Sequence, residues 1–354
     1  MKILYVAIKY DYGKPERGYA PQHFNFYSTL VKMNGGSNEV IYFPYDETML
    51  KFGREEMNRM LLETAFREKP DLVFCLIGDD AVKKETIGKI TKESGAQTLS
   101  FCADDHWKFY NYTKYWLPYY HWQLTTDPDM IPQYRKVGYK NVILSQWACD
   151  HFTYRPLALP KIYDVTFIGA AHGNRKEVVA KLEKAGINIK CWGLGWPQGR
   201  VSQEEMLKIW SQSRINLNFT KSSGVLWKEL ASIFLYRRYD DKIRSNNPRY
   251  WLANTKTAWA SLTKNQIKGR NFEVPGCQTF FLTEYVRHLE DYYEIGKEII
   301  CFNDIPELIK KIKYYLANDK ERERIAQAGY ERTIRDHTWE KRFNEIFRVI
   351  GLKK

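Results

Sequence analysis

Residues 3–8 (Ile-Leu-Tyr-Val-Ala-Ile) form an unbroken apolar run, the pattern of a strand buried on both faces of a parallel sheet. A loop rich in Gly and Pro follows, then a helical pattern over 21–33. Strand-like runs at 39–43, 71–77, 97–102, 123–126 and 141–144 alternate with helical stretches, which predicts a doubly wound α/β sheet. Arg155-Pro156 and Leu159-Pro160 mark a linker, and the alternation then restarts. Strands are predicted at 164–169, 187–192, 215–219, 279–282 and 298–302, and a helix over 174–185. Asp304 and Glu307 give a capping signal for a helix with Leu308, Ile309, Ile312 and Leu316 on its apolar face. A last helix aligns Trp339, Phe343, Ile346, Phe347 and Ile350. Two Rossmann-like domains are expected, 1–155 and 156–336, followed by a C-terminal helix in 337–354.

The length of 354 residues suits two domains. Neither half carries Gly-x-Gly-x-x-Gly after its first strand. The turns read Lys9-Tyr10-Asp11-Tyr12-Gly13 and Gly169-Ala170-Ala171-His172-Gly173-Asn174-Arg175, which argues against a dehydrogenase. Six widely spaced cysteines (75, 102, 149, 191, 277 and 301) show no zinc spacing and read as buried thiols. The opening apolar run is too short for the core of a signal peptide, and no later run reaches membrane-spanning length. A cytoplasmic location is expected, extending to the inner membrane surface.

The charge is unevenly spread along the chain. Between Lys221 and Arg270, eleven Lys or Arg face three carboxylates, so this stretch carries +8 of the net +13. Such an excess suits a partner bearing phosphate or another anion. Arg237, Arg238, Lys242 and Arg244 are the acceptor-side candidates within it, in a basic insert of the second domain at about 221–268.

Ligands of open parallel sheets bind beyond the carboxyl ends of the strands, so the turns there carry the candidate chemistry. Gly169 to Arg175 ends a strand, opens a helix and supplies a fixed cation, a combination that suits a diphosphate. Lys268, Arg270 and Glu273 follow the same logic. Arg270 suits a phosphate, and Glu273, three residues on, can accept two ribose hydroxyls. The bland reading of that pair is a surface ion pair. Asp104 and Asp105, at the end of the 97–102 strand, are candidates for a catalytic base, with helix capping as the alternative. Asp127-Pro128-Asp129 has the form of a metal-binding Asp-x-Asp but sits where Asp-Pro opens a helix, so capping is expected and no metal site is predicted.

From about 268 to 347 the chain resembles the spore-maturation-protein-like glycosyltransferases of the broad group-1 assemblage. The resemblance is carried by Gly269 to Glu273, Gly276-Cys277, Leu282 to Tyr285, Gly296 to Ile299, Tyr314 to Leu316, Ile325 to Gly329 and His337 to Glu340. It implies the GT-B fold, in which two Rossmann-like domains face a cleft and the C-terminal helix packs back toward the first. A looser similarity, to the phage DNA β-glucosyltransferases, runs through the Gly169 turn to Arg175, 186–189, Gly199-Arg200-Val201 and Arg270-x-x-Glu273. It implies diphosphate binding by Arg175 and Arg270, ribose binding by Glu273, base contact through the Val201 backbone, and Asp104 as the base. The retaining branch of the assemblage has Glu eight residues before the position of Glu273, and here Asn265 stands there, which favours inversion.

The expected reaction is transfer of a hexose or related sugar from a nucleotide-sugar donor, UDP by resemblance, to an acceptor hydroxyl. No tightly bound cofactor is expected. A cell-envelope glycan, anionic or membrane-associated, is the first choice of acceptor, and DNA with a modified base the second. Two further readings are a nucleotide-sugar 2-epimerase on the same scaffold and a nucleic-acid-binding protein without catalysis, which basic residues mixed with aromatics would suit.

Overall fold

The computed structural model describes residues 1–220, 226–237 and 242–352, with only the backbone of Arg237. Arg238 therefore lies outside the described residues. The chain divides into two compact units. One comprises Met1–Gln146, Val225–Lys264 and Glu340–Lys354, the other Trp147–Gly224 and Asn265–Trp339.

The first unit is built on strands β1 (Lys2–Ala7), β2 (Glu39–Pro44), β3 (Leu72–Leu76), β4 (Gln97–Cys102), β5 (Trp122–Thr125) and β6 (Val142–Leu144). All pair in parallel, in the order β2-β1-β3-β4-β5-β6. Ile3 to Ala7 are fully buried, as their apolar run requires. Helices α1 (Ser28–Gly36), α2 (Tyr45–Phe52), α3 (Arg54–Glu68), α4 (Lys84–Glu93), α5 (Asp105–Lys108) and α6 (Ile131–Lys136) connect them. In α3 the buried Met57, Leu61 and Ala65 recur every fourth residue, the spacing that turns one helical face toward a core.

Beyond β6 come β7 (Tyr163–Ile168), α7 (Arg175–Lys184), β8 (Ile189–Trp192), α8 (Gln203–Ser211) and β9 (Ser213–Asn218). Next in the chain are α9 (Leu226–Phe234), β10 (Leu235–Arg237), β11 (Ile243–Ser245), α10 (Trp251–Thr263) and α11 (Arg270–Gly276). The chain ends with β12 (Phe281–Glu284), β13 (Ile300–Phe302), α12 (Ile305–Ala317), α13 (Asp319–Asp336) and α14 (Trp339–Val349). The second sheet is parallel, in the order β13-β12-β9-β7-β8. The predicted α/β architecture with two Rossmann-like sheets is the observed one.

The unit boundaries differ from the expected 1–155, 156–336 and 337–354 in one large respect. The described residues of the basic segment from α9 to α10 belong to the first unit, not to the second. Side chains of the segment that follows α5 hold them there. Asn111 Nδ2 donates to Asn254 Oδ1 at 3.1 Å, Tyr115 meets Tyr250 edge-on at 5.5 Å, and Lys256 Nζ lies 5.7 Å from the Tyr110 ring centre. Helix α14 also joins the first unit, packing Phe343 against Phe26 and Phe74 while Glu340 Oε1 accepts from Asn34 N at 2.7 Å. The cysteines are all free, five buried and Cys102 half-buried.

Candidate functional site

In the second sheet the chain passes from β7 to β8 on one side and then to β9 on the other. The crevice between the carboxyl ends of β7 and β9 is therefore the topological switch point, where open α/β sheets bind ligands. Arg175, the first residue of α7, reaches into it. Its Nη1 donates to Ala170 O at 2.8 Å and its Nη2 to Phe219 O at 3.5 Å, so one guanidinium links the loops after both strands. The rings of Phe167 and Phe219 stand 5.4 and 5.9 Å from its centre.

Arg270 comes to the same place from α11. A Cβ on Gly169 would lie 3.2 Å from Arg270 Nη1 and 2.6 Å from Phe167 Cζ, so a bare glycine is what lets this guanidinium approach the β7 turn. The turn is pinned from behind. Trp196 Nε1 donates to Gly169 O at 2.8 Å, and Gly193, at φ 130°, passes so close that a Cβ there would stand 2.4 Å from that oxygen. Gly199 and Val201 follow in this loop; Gly199 has φ 66° and its carbonyl accepts from Gly193 N at 2.6 Å. Val201 is half-buried against the core around α8.

The two arginines are electrostatically expensive. Burial first, and then the positive charge of Arg270, pull the Arg175 guanidinium down to about 10, with Glu284 opposing. Burial likewise lowers Arg270, with Glu273 and Tyr154 acting against it. Two partly buried cations side by side at a switch point are an arrangement that a bound anion would relieve.

Glu273 is buried one turn into α11, its Oε1 2.8 Å from where a Gly269 Cβ would be, so it faces back toward the helix start. The surface ion-pair reading fails, because this carboxylate is not at the surface. Lys268 is half-buried, and its backbone N–H donates to Asn271 Oδ1 at 3.0 Å. Several residues that carried the resemblance hold α11 in place. A Cβ on Gly276 would stand 2.4 Å from Cys149 Sγ, Phe272 packs edge-on to His337, and His337 Nε2 lies 2.7 Å from Tyr292 O.

Glu284, at the end of β12, had no role assigned from the sequence, although it stands inside the Leu282-Thr283-Glu284-Tyr285 motif. It is buried, and its Oε2 accepts from Thr220 N at 3.1 Å. With His172, Asn174, Arg175, Phe219 and Asn303 it lines a cavity at the start of α7.

In the first unit the two aspartates after β4 separate clearly. Asp104 makes no side-chain capping bond; its carboxylate is 40% exposed and 3.8 Å from Lys108 Nζ. Asp105 is fully buried and accepts from Tyr134 Oη at 2.7 Å. Burial pushes its carboxyl up to about 7, the Thr125 and Tyr134 hydrogen bonds opposing this and the nearby Asp127 and Asp104 adding to it. Asp127 caps the turn that follows, accepting from Asp129 N at 2.9 Å, which is the capping expected for Asp-Pro-Asp.

A stability measurement distinguishes the role of Asp105. A carboxyl near 7 in the folded state and near about 4 when unfolded binds its proton more tightly when folded. Its contribution is complete below about pH 4 and is lost as pH rises to about 7. Asp105→Asn keeps an acceptor for Tyr134 and removes the titration. It should match the parent near pH 4 and exceed it at pH 8, by at most about 4 kcal/mol in urea unfolding. An equal difference at both pH values would show that the buried proton is not the cause.

Residues 175–348 match the family described as "Glycosyl transferase-like". Spore protein CgeB of Bacillus subtilis (strain 168) is 21% identical over 220 residues, 61% of this chain. That match spans 64% of CgeB, somewhat under two thirds of its length. Sucrose-phosphate synthase from Thermosynechococcus elongatus superposes with a TM-score of 0.60 at 12% identity, covering 99% of both chains. The DNA-modifying enzyme β-glucosyltransferase, solved with and without its substrate uridine diphosphoglucose, gives 0.58 at 12% identity over 99% of this chain and all of that one. The fold is GT-B, and the chain is similar to the glycosyltransferases that share it.

Proposed function

We propose that the chain moves a hexose or related sugar from a UDP-sugar to an acceptor hydroxyl, with inversion. The observation that carries this is the pair of guanidiniums, Arg175 and Arg270, at the carboxyl ends of β7 and β9. A diphosphate bound between them would neutralise two charges that burial makes costly. Glu273, one turn further along α11, is the ribose acceptor in this reading, Lys268 and the Val201 backbone complete the donor site, and Asp104 is the base.

A cell-envelope glycan is the proposed acceptor. DNA is the second reading, favoured by the excess of positive charge between Lys221 and Arg270 and by the end-to-end likeness to the DNA-modifying β-glucosyltransferase. Incubation with UDP-sugars tests the reaction class. A transferase releases UDP when acceptor is supplied and leaves an inverted anomer, which NMR of the product reads. An epimerase changes the sugar nucleotide without acceptor, and a non-catalytic binder leaves the donor intact. Supplying labelled UDP-sugar with either acceptor then separates the two readings, since label enters the modified DNA in one and the envelope glycan in the other.

A further inference from the structure

Large apolar side chains on a folded surface are concentrated in one part of this chain. In α9, Leu226, Trp227, Leu230 and Phe234 are exposed, Trp227 to 66%. The antiparallel pair β10 and β11 exposes Leu235, Tyr236 and Ile243. In α10, Leu252 and Trp259, two turns apart on one side, are 72% and 70% exposed. Scattered exposed apolar residues need no explanation, but a run of this size marks a surface that is covered in use.

The described residues of this segment are tied to one another by specific contacts. Phe234 meets Trp251 edge-on at 5.1 Å, Asn254 Nδ2 donates to Ile233 O at 3.0 Å, and Asn246 Nδ2 donates to Ser232 O at 3.0 Å. The opposite side of α10 buries Asn254, Thr257 and Ala258. Exposure is thus the consequence of a fixed arrangement.

The charge around the apolar side chains is predominantly positive. Lys228, Lys242, Arg244, Arg249 and Lys256 all belong to this segment, and Glu229 is the one acidic residue among its described residues. Lys228 Nζ lies 5.4 Å from the Trp227 ring centre, so cation and indole share one patch. Trp and Leu beside Lys and Arg are what a helix lying in a membrane interface carries: rings and alkyl chains enter the headgroup and acyl boundary while the cations meet anionic lipid.

We propose that α9, the paired strands β10 and β11, and α10 form a membrane-docking surface for a bilayer rich in anionic lipid. The aliphatic residues decide between membrane and nucleic acid. Aromatic side chains can stack on bases, but Leu226, Leu230, Leu235, Ile243 and Leu252 gain nothing from stacking and gain directly from an acyl environment. A second copy of the chain is disfavoured, because two surfaces of like charge would have to meet. Docking is peripheral, since no helix among the described residues is long and apolar enough to cross a membrane. The inference does not depend on the transfer reaction, and it is tested without donor or acceptor.

The test is co-sedimentation of the full chain with vesicles of phosphatidylcholine alone or mixed with phosphatidylglycerol. Binding should be at least ~10-fold tighter to the anionic vesicles, and a residue of it should survive high salt because part of the attachment is apolar. Leu230→Ser with Trp259→Ser should remove the salt-resistant part. Lys228→Glu with Arg244→Glu should remove the preference for anionic lipid. All four positions are exposed, so circular dichroism should show an unchanged fold, and the wild-type comparison of the two vesicle types needs no variant. Equal binding to both vesicle types, or none, would overturn the proposal. So would tight binding to duplex DNA that Leu230→Ser and Trp259→Ser abolish while vesicles are ignored, or concentration-dependent dimers lost in the same variants.

Discussion

Arg270→Ala should weaken UDP binding at least tenfold, and Arg175→Met should do nearly the same, in isothermal titration of protein that remains folded. In the proposed donor site each guanidinium would supply charge-assisted hydrogen bonds to the diphosphate, worth about 1.5–3 kcal/mol, and tenfold corresponds to about 1.4 kcal/mol. The two effects should not add in the double variant, because the cations sense each other directly. Stability gives a second, opposite readout. Burial and mutual repulsion both disfavour charge on Arg175, while methionine can still pack against Phe167 and Phe219. The unliganded Arg175→Met protein should therefore melt no lower than the parent, yet lose most of the rise in Tm that UDP gives the parent. Glu273→Gln should weaken UDP while leaving free pyrophosphate almost unaffected, because the partner proposed for it is the ribose. UDP binding unchanged in all three variants would remove the donor site from this switch point.

How much of this was readable in advance follows from what each residue does. β1 and β3 declared themselves because strands buried on both faces must be apolar throughout. The apolar pattern starts β9 two residues late, since Ser213, Asn216 and Asn218 look like loop residues. They are buried in the strand, where Thr166 Oγ1 donates to Ser213 Oγ and Asn216 Oδ1, and Asn218 Nδ2 donates to Thr283 Oγ1. The apolar pattern starts β12 two residues early; Thr279 lies in the turn after α11, where its buried hydroxyl donates to Val274 O within that helix. Arg175 and Arg270 were each legible as cations at turns. Their convergence was not, because it depends on the bare Gly169 and on a loop pinned by Trp196 and Gly193. The basic segment was assigned by its neighbours in sequence, whereas the partners of Asn254, Tyr250 and Lys256 follow α5 in the other unit. Charge could be counted along the chain, but the exposure of its tryptophans and leucines could not.

The aspartates after β4 carry the second large effect, on turnover. Inverting transfer in one displacement needs a base to take the proton of the acceptor hydroxyl as it attacks the anomeric carbon. Asp104 meets the requirements of access and placement: it stands beyond the carboxyl end of β4, is 40% exposed, and makes no side-chain cap that attack would have to break. Asp105 fails on access, being fully buried beneath Tyr134. Asp104→Asn should therefore lower kcat by ~10²-fold or more, the scale of a lost general base, while the Kd for UDP stays at the parent value. Asp105→Asn should shift the pH dependence of stability and leave turnover largely intact. Lys108→Met is a further control. Its amine is 3.8 Å from Asp104, and if that cation only orients the carboxylate, its loss should cost far less than the loss of the carboxylate. Near-normal turnover in Asp104→Asn with a collapse in Asp105→Asn would exchange the two roles. Near-normal turnover in both would place the base on another element, and the aspartates after β4 would then be structural.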